Sequence, residues 1–202
     1  MMIFCLGVVI GAWQPVMAGN EKTIENLKAA FKKESTASAK YAAYAKKAKE
    51  EGFLQIATMF EAFSKAKEIY ATNHSTVLEK IGQKPDPVKP EFTVKTTKEN
   101  LRDAMAGEAY EVTTMYPGFI ATSKAEDVAP ATKSFRWAME TGKGNQVMYQ
   151  NAIRALDEKK PQSLPATYWV CPKCGNTYDV AKPEATCSFC STKRDKYIKF
   201  GK

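Results

Sequence analysis

The chain has 202 residues and a formal net charge of +8, from 30 Lys and Arg against 22 Asp and Glu, with a single His. That length suits one medium domain plus a small module. No nucleic-acid-binding motif accompanies the positive charge, and no stretch beyond the N-terminus is apolar and long enough to cross a bilayer, so neither a nucleic-acid binder nor a membrane-spanning protein is expected.

Residues 2–18 carry no charged side chain and read as a secretory signal peptide: the run is too short to span, and Val16-Met17-Ala18 offers small residues at the −3 and −1 positions of a cleavage site. The segment lacks a basic residue at its start, and its Cys5 counts as one more apolar residue. The mature protein then begins near Gly19 and is secreted or periplasmic; a misassigned start codon would make it cytoplasmic instead.

From Glu21 to about Lys159 the chain is rich in Ala, Lys, Glu and Met, with apolar residues three and four apart, as in Leu27 and Phe31 and again in Ile56, Met59, Phe60 and Phe63. That spacing predicts helices. Breakers divide the stretch at Glu51-Gly52, at Gly82 with Pro85, Pro87 and Pro90, at 126–130, and at Lys159-Lys160-Pro161. Four helices of roughly 25 to 30 residues, with one longer connection between the second and third, describe a ferritin-like four-helix bundle with a crossover. The fold class expected is mainly α: a bundle over 19–158, a linker over 159–167, and a small β/knuckle metal module over 168–202.

In that module Cys171 and Cys174 form one Cys-x2-Cys and Cys187 and Cys190 another. Two such loops facing each other supply a tetrahedron of thiolates suited to iron or zinc. Two disulfides are the competing reading, favoured by an oxidising compartment. Gly175 allows the positive φ of a metal knuckle, Pro172 stiffens it, and Tyr168, Trp169, Tyr178 and Tyr197 supply apolar area to a module too small to stand without a staple.

The Cys171-Pro172-Lys173-Cys174-Gly175 knuckle and its aromatics resemble rubredoxin, the one-iron electron carrier, which favours one iron in the tetrathiolate site, with zinc as the alternative. Cys187-Ser188-Phe189-Cys190-Ser191 departs from that family, with serine where glycine is usual and no proline at its first x position. A bundle followed by such a module resembles rubrerythrin across essentially the whole mature chain. The resemblance is carried by Phe31-Lys32-Lys33-Glu34-Ser35, Gly52-Phe53, Gly107-Glu108-Ala109-Tyr110-Glu111 with Met115-Tyr116-Pro117, and Phe135-Arg136-Trp137-Ala138. It implies a homodimer, and a peroxide-reducing di-iron centre in the bundle fed through the rubredoxin iron.

The di-iron ligands are where this chain departs. Such bundles use a Glu from each of two helices and a Glu-x-x-His from each of the other two, yet the single histidine, His74, has Ala71 three residues before it. On the family pattern Glu34, Glu108 and Glu111 keep carboxylates. Lys67 and Tyr70 replace one Glu-x-x-His, and Gly142 and Asn145 replace the other. A di-iron centre is therefore not expected. Three converging carboxylates need a cation, so Lys67 is expected among Glu34, Glu108 and Glu111, with Tyr70 donating a hydrogen bond to them. Gly142 and Gly144 predict either an irregular fourth helix or space beside Tyr70.

The function expected is electron transfer through the tetrathiolate iron, with no catalytic residue assigned. A peroxide reductase with a non-standard bundle metal site, and a zinc-stabilised interaction protein, are the alternatives. Lys193, Arg194, Lys196, Lys199 and Lys202, opposed by Asp195 alone, would steer an acidic redox partner toward the module.

Overall fold

The computed structural model describes residues 19–201; residues 1–18, on which the signal-peptide reading falls, and residue 202 lie outside the described residues. Two long antiparallel helices, α1 (Glu21–Glu50) and α2 (Leu54–Lys80), are joined by a three-residue turn. An extended, proline-punctuated crossover over 83–96 then returns the chain to the start of α3 (Thr97–Tyr110). Thr96 caps α3: its hydroxyl accepts from the Glu99 amide while the Glu99 carboxylate accepts from the Thr96 amide, a reciprocal arrangement worth about 1 kcal/mol.

The third helix of the bundle is not continuous. After α3 a π-helical turn, Glu111–Met115, intervenes before α4 (Tyr116–Ala125). A π turn holds one residue more than an α turn and marks functional stretches disproportionately. Here it leaves Glu108, Glu111, Met115 and Tyr116 all buried. The fourth helix, α5 (Ala129–Asp157), runs unbroken through Gly142 and Gly144, so the expected irregularity is absent.

Two aromatic layers hold the bundle. Tyr41, Tyr44, Phe60, Phe63 and Tyr149 form one, with ring centroids 4.8 to 6.3 Å apart. His74, Tyr116, Phe119 and Phe135 form the other, at 5.4 to 6.3 Å. Each buried Phe contributes about 1.5–3 kcal/mol. Lys67 falls between Phe63 and His74 along α2, so the charged centre is walled by apolar rings. No helix among the described residues is long and apolar enough to cross a membrane.

The C-terminal module is a three-stranded antiparallel sheet in the order β2-β1-β3, with β1 (Thr167–Val170) pairing β2 (Thr177–Tyr178) and β3 (Ile198–Gly201). It packs on α2 of its own chain, and Leu164, Tyr168 and Val170 join the bundle core. Bundle and module therefore share one apolar interior.

Candidate functional site

Three helical segments converge on Lys67 of α2. From α1 comes Glu34, from the end of α3 Glu108, from the π turn Glu111, and all four side chains are buried. The Lys67 ammonium donates to Glu111 Oε2 at 2.5 Å. It meets Glu34 Oε2 at 3.1 Å and Glu108 Oε2 at 3.2 Å as ion pairs without hydrogen-bond alignment. Lys33, at the rim, reaches Glu111 Oε1 at 3.5 Å.

One ammonium and a half-exposed second cannot neutralise three buried carboxylates. Burial first, then the neighbouring Glu111, pushes the Glu34 carboxyl up to about 7 against the pull of Lys67. Burial, with Glu111 and Glu34, pushes Glu108 up to about 8, again against Lys67. Burial works to lower the Lys67 ammonium, but Glu108, Glu111 and Glu34 together hold it well above its ordinary value. The cluster thus keeps its cation and retains protons on Glu34 and Glu108 near neutrality.

Glu34 has a further partner that the sequence did not point to. The Tyr116 hydroxyl donates to Glu34 Oε1, His74 Nε2 lies 3.2 Å from that hydroxyl, and Ser134 Oγ lies 2.8 Å from His74 Nδ1. Because Tyr116 gives its proton to Glu34, Nε2 must be the protonated nitrogen and Nδ1 the acceptor from Ser134. The imidazole is neutral: burial, then the nearby Lys67, pushes its pKa down to about 3. Tyr116 stands eight residues after Glu108, on the same helical face, which is a readable signal. Nothing in the sequence joins His74 to it.

The remaining positions of the family's ligand pattern behave differently from expectation. Tyr70 is expected to donate into the carboxylate cluster; its hydroxyl instead turns to the module, donating to Gly175 O at 3.2 Å and accepting from Thr141 Oγ1 at 2.6 Å. Its ring stays 5.4 Å from the Lys67 ammonium. Gly142 is expected to leave space beside Tyr70. In the structure its missing side chain makes room for Glu108, since a Cβ there would run into Glu108 Oε1 and sit 3.0 Å from Val112 Cγ2. Gly144 has open space around it. Asn145 is buried, and its Oδ1 has no hydrogen-bond partner among the described residues.

The four cysteines are free, and their sulfurs all lie within 4.8 Å of one another, with Cys171–Cys190 at 3.4 Å and Cys174–Cys187 at 3.5 Å. A tetrahedral ion with metal–sulfur bonds of about 2.3 Å sets its sulfurs about 3.8 Å apart, so the donor set fits one iron or zinc. Two matching knuckles build it. Gly175 N–H donates to Cys171 O and Ser191 N–H to Cys187 O, both closing the turn around a residue of positive φ, +76° and +58° respectively. Backbone amides of Lys173 and Cys174 serve Cys171, that of Asn176 serves Cys174, and that of Thr192 serves Cys190. Such donors disperse thiolate charge. Trp137, Trp169, Tyr178 and Tyr197 pack around the sulfurs.

Knuckle and bundle meet at Tyr70. A Cβ on Gly175 would collide with the Tyr70 ring, with Cδ1 at 2.8 Å, and Asn73 Nδ2 donates to Lys173 O at 3.0 Å. The position that carries a histidine in the family pattern therefore holds the first metal knuckle against α2.

A sequence-family profile described as Rubrerythrin matches residues 25–153. Rubrerythrin-2 of Clostridium acetobutylicum is 28% identical, with 90% of this chain and 98% of that protein covered. Nigerythrin of Nitratidesulfovibrio vulgaris is 31% identical, over 88% of this chain and 86% of that one. The structure of nigerythrin in its fully reduced, all-ferrous state superposes with a TM-score of 0.79 at 31% identity, covering 88% of this chain and 86% of that chain.

Proposed function

This chain belongs to the rubrerythrin family of iron-binding redox proteins, and we propose that it is an exported member that transfers electrons through its tetrathiolate iron while Lys67 takes the place of the bundle di-iron centre. The observation that carries this reading is the Lys67 ammonium within 3.2 Å of carboxylates from α1, α3 and the π turn. Charge compensated by Lys67 together with the protons held on Glu34 and Glu108 leaves little gain for a divalent ion, and four of the seven family ligand positions hold Lys67, Tyr70, Gly142 and Asn145. Export rests on the apolar leader, an acidic partner on the basic C-terminal tail, and a homodimer on the family's habit.

Cys171, Cys174, Cys187 and Cys190 would hold the ion. Iron bound by four thiolates exchanges one electron without changing ligands, and the relative described as all-ferrous supports iron over zinc. Around it the knuckle amides stabilise the more negative reduced state, the aromatic side chains keep water from the sulfurs, and Tyr70 fixes the module to a rigid helix. Glu34, Glu108 and Glu111 and their lysine then serve structure rather than turnover.

Metal analysis with an absorption spectrum of protein produced in abundant iron tests this. One iron per chain and a red colour lost on reduction are expected. Additional iron in the bundle, with peroxide reduction abolished by Glu108→Ala, would establish the peroxidase instead.

A further inference from the structure

Beside the second knuckle, a cavity of about 540 Å³ opens between the end of α4, the first turns of α5 and Phe189. Lys124, Lys133 and Arg136 line it, and none has a carboxylate within 4.0 Å among the described residues. Of its two acidic members, Glu140 is held by Lys143 at 2.9 Å, which leaves Asp127 alone against three cations. Its aromatic members are Trp137 and Phe189. Trp137 packs against the sulfur cluster and lies 4.9 Å beneath the Lys133 ammonium. Phe189 is 40% exposed and sits between Cys187 and Cys190 in the chain; Cys190 is the least buried of the four thiols.

Each observation constrains the ligand. The volume is that of a small-molecule site. Lys124 and Arg136, which have no carboxylate partner among the described residues, suit a phosphate, which arginine grips bidentately. An indole and a phenyl ring suit a planar aromatic system. Trp137 packs against the cysteine cluster, and an iron–thiolate site accepts one electron at a time, so a donor confined to hydride transfer is mismatched whereas a flavin is not.

We propose that this cavity is the electron-intake port for reduced flavin mononucleotide, its ring system against Trp137 and Phe189 and its phosphate at Lys124 and Arg136. The proposal rests on the tetrathiolate site holding iron. One reduced flavin gives one electron to each of two ferric sites in succession, becoming oxidised flavin and releasing two protons, while both irons become ferrous.

The test uses the iron-loaded mature chain in anaerobic stopped flow, with bleaching of the ferric–thiolate band as the readout and reduced flavin mononucleotide compared with reduced riboflavin, which lacks only the phosphate. The mononucleotide rate is expected to saturate and, below saturation, to exceed that of riboflavin by roughly tenfold, the worth of a charge-assisted contact. Lys124→Gln with Arg136→Gln, both on exposed side chains, should bring it down to the riboflavin rate with the visible spectrum unchanged. Equal, non-saturating rates, or rates indifferent to that double substitution, overturn the proposal. Quenching of oxidised flavin mononucleotide fluorescence gives a readout independent of electron transfer. If purified protein proves to hold zinc yet quenches the flavin, the iron reading fails while the binding site stands; iron-loaded protein that quenches but is not bleached overturns the port.

Discussion

Lys67→Met removes the one fully buried cation of the bundle while keeping most of its volume. Glu108 is then left with no partner, Glu34 with the Tyr116 hydroxyl alone, and Glu111 with Lys33 at the rim. Breaking a buried ionic group from one side costs about 3–5 kcal/mol, a large fraction of the roughly 5–15 kcal/mol that holds a domain together. The pH dependence carries its own sign. In the native protein Glu34 and Glu108 titrate near 7 and 8, against an ordinary value of 4.5. The folded state therefore binds more protons than the unfolded one across that interval. Stability from these carboxyls is fully present below pH 4.5 and is lost as pH rises toward 8, by up to about 1.4 kcal/mol per pH unit for each proton. Without Lys67 both carboxyls hold their protons more tightly, so the substitution should cost little near pH 5 and the full amount near pH 8. Urea unfolding at the two pH values measures this, with Lys67→Met plus Glu108→Gln expected to recover part of the loss. A destabilisation below about 1 kcal/mol, equal at pH 5 and pH 8, would refute the counter-ion role.

Four further outcomes are expected. Gly142→Ala gains about 1 kcal/mol of helix propensity but drives a methyl into Glu108, for a net thermal destabilisation of about 1–2 kcal/mol that Glu108→Ala relieves. Ser191→Gly should raise the melting temperature, since Ser191 sits at φ +58° and glycine removes a strain of about 1 kcal/mol. Gly175→Ala should loosen the module, seen as faster proteolysis of the segment between α5 and β1, and less so in a Tyr70→Ala background where the colliding ring is gone; equal effects in both backgrounds would show that Tyr70 does not press on the knuckle. Stripping the metal with a chelator should unfold the module while the far-ultraviolet helical signal persists, because the thiolate site is the module's staple and the bundle has its own aromatic layers.

The bundle and the tetracysteine module were legible because each writes a short-range rule into the chain. Leu27 and Phe31, or Ile56, Met59, Phe60 and Phe63, repeat at helical spacing, and the cysteine pairs repeat at knuckle spacing. Charge balance was legible too: three carboxylates on one interior face require a cation, and Lys67 occurs at a ligand position. What escaped were contacts decided by three-dimensional direction. Tyr70 has two neighbours within reach, the carboxylates and the knuckle, and only the docked module determines which one its hydroxyl faces. Gly142 could make room for any side chain from the facing helix, and Glu108 is chosen because α3 delivers it there. The π turn depends on one additional residue in the backbone path between Glu111 and Tyr116, which no periodicity over so short a stretch reveals. Ser134, His74 and Tyr116 come from α5, α2 and α4, so their chain of hydrogen bonds has no linear signature at all.

Lys67 and Tyr70 stand one helical turn apart on α2, one turned inward to the carboxylates and the other outward to Gly175. Putting back Glu and His at these two positions would rebuild half of a ligand pair and, in the same step, release the knuckle from the helix. Under the proposed reading one turn of α2 thus ties the charge balance of the bundle to the fastening of the module. Each single substitution toward a metal-filled bundle would carry uncompensated carboxylates, an unfastened redox module, or both, even though three carboxylates of the family pattern are in place.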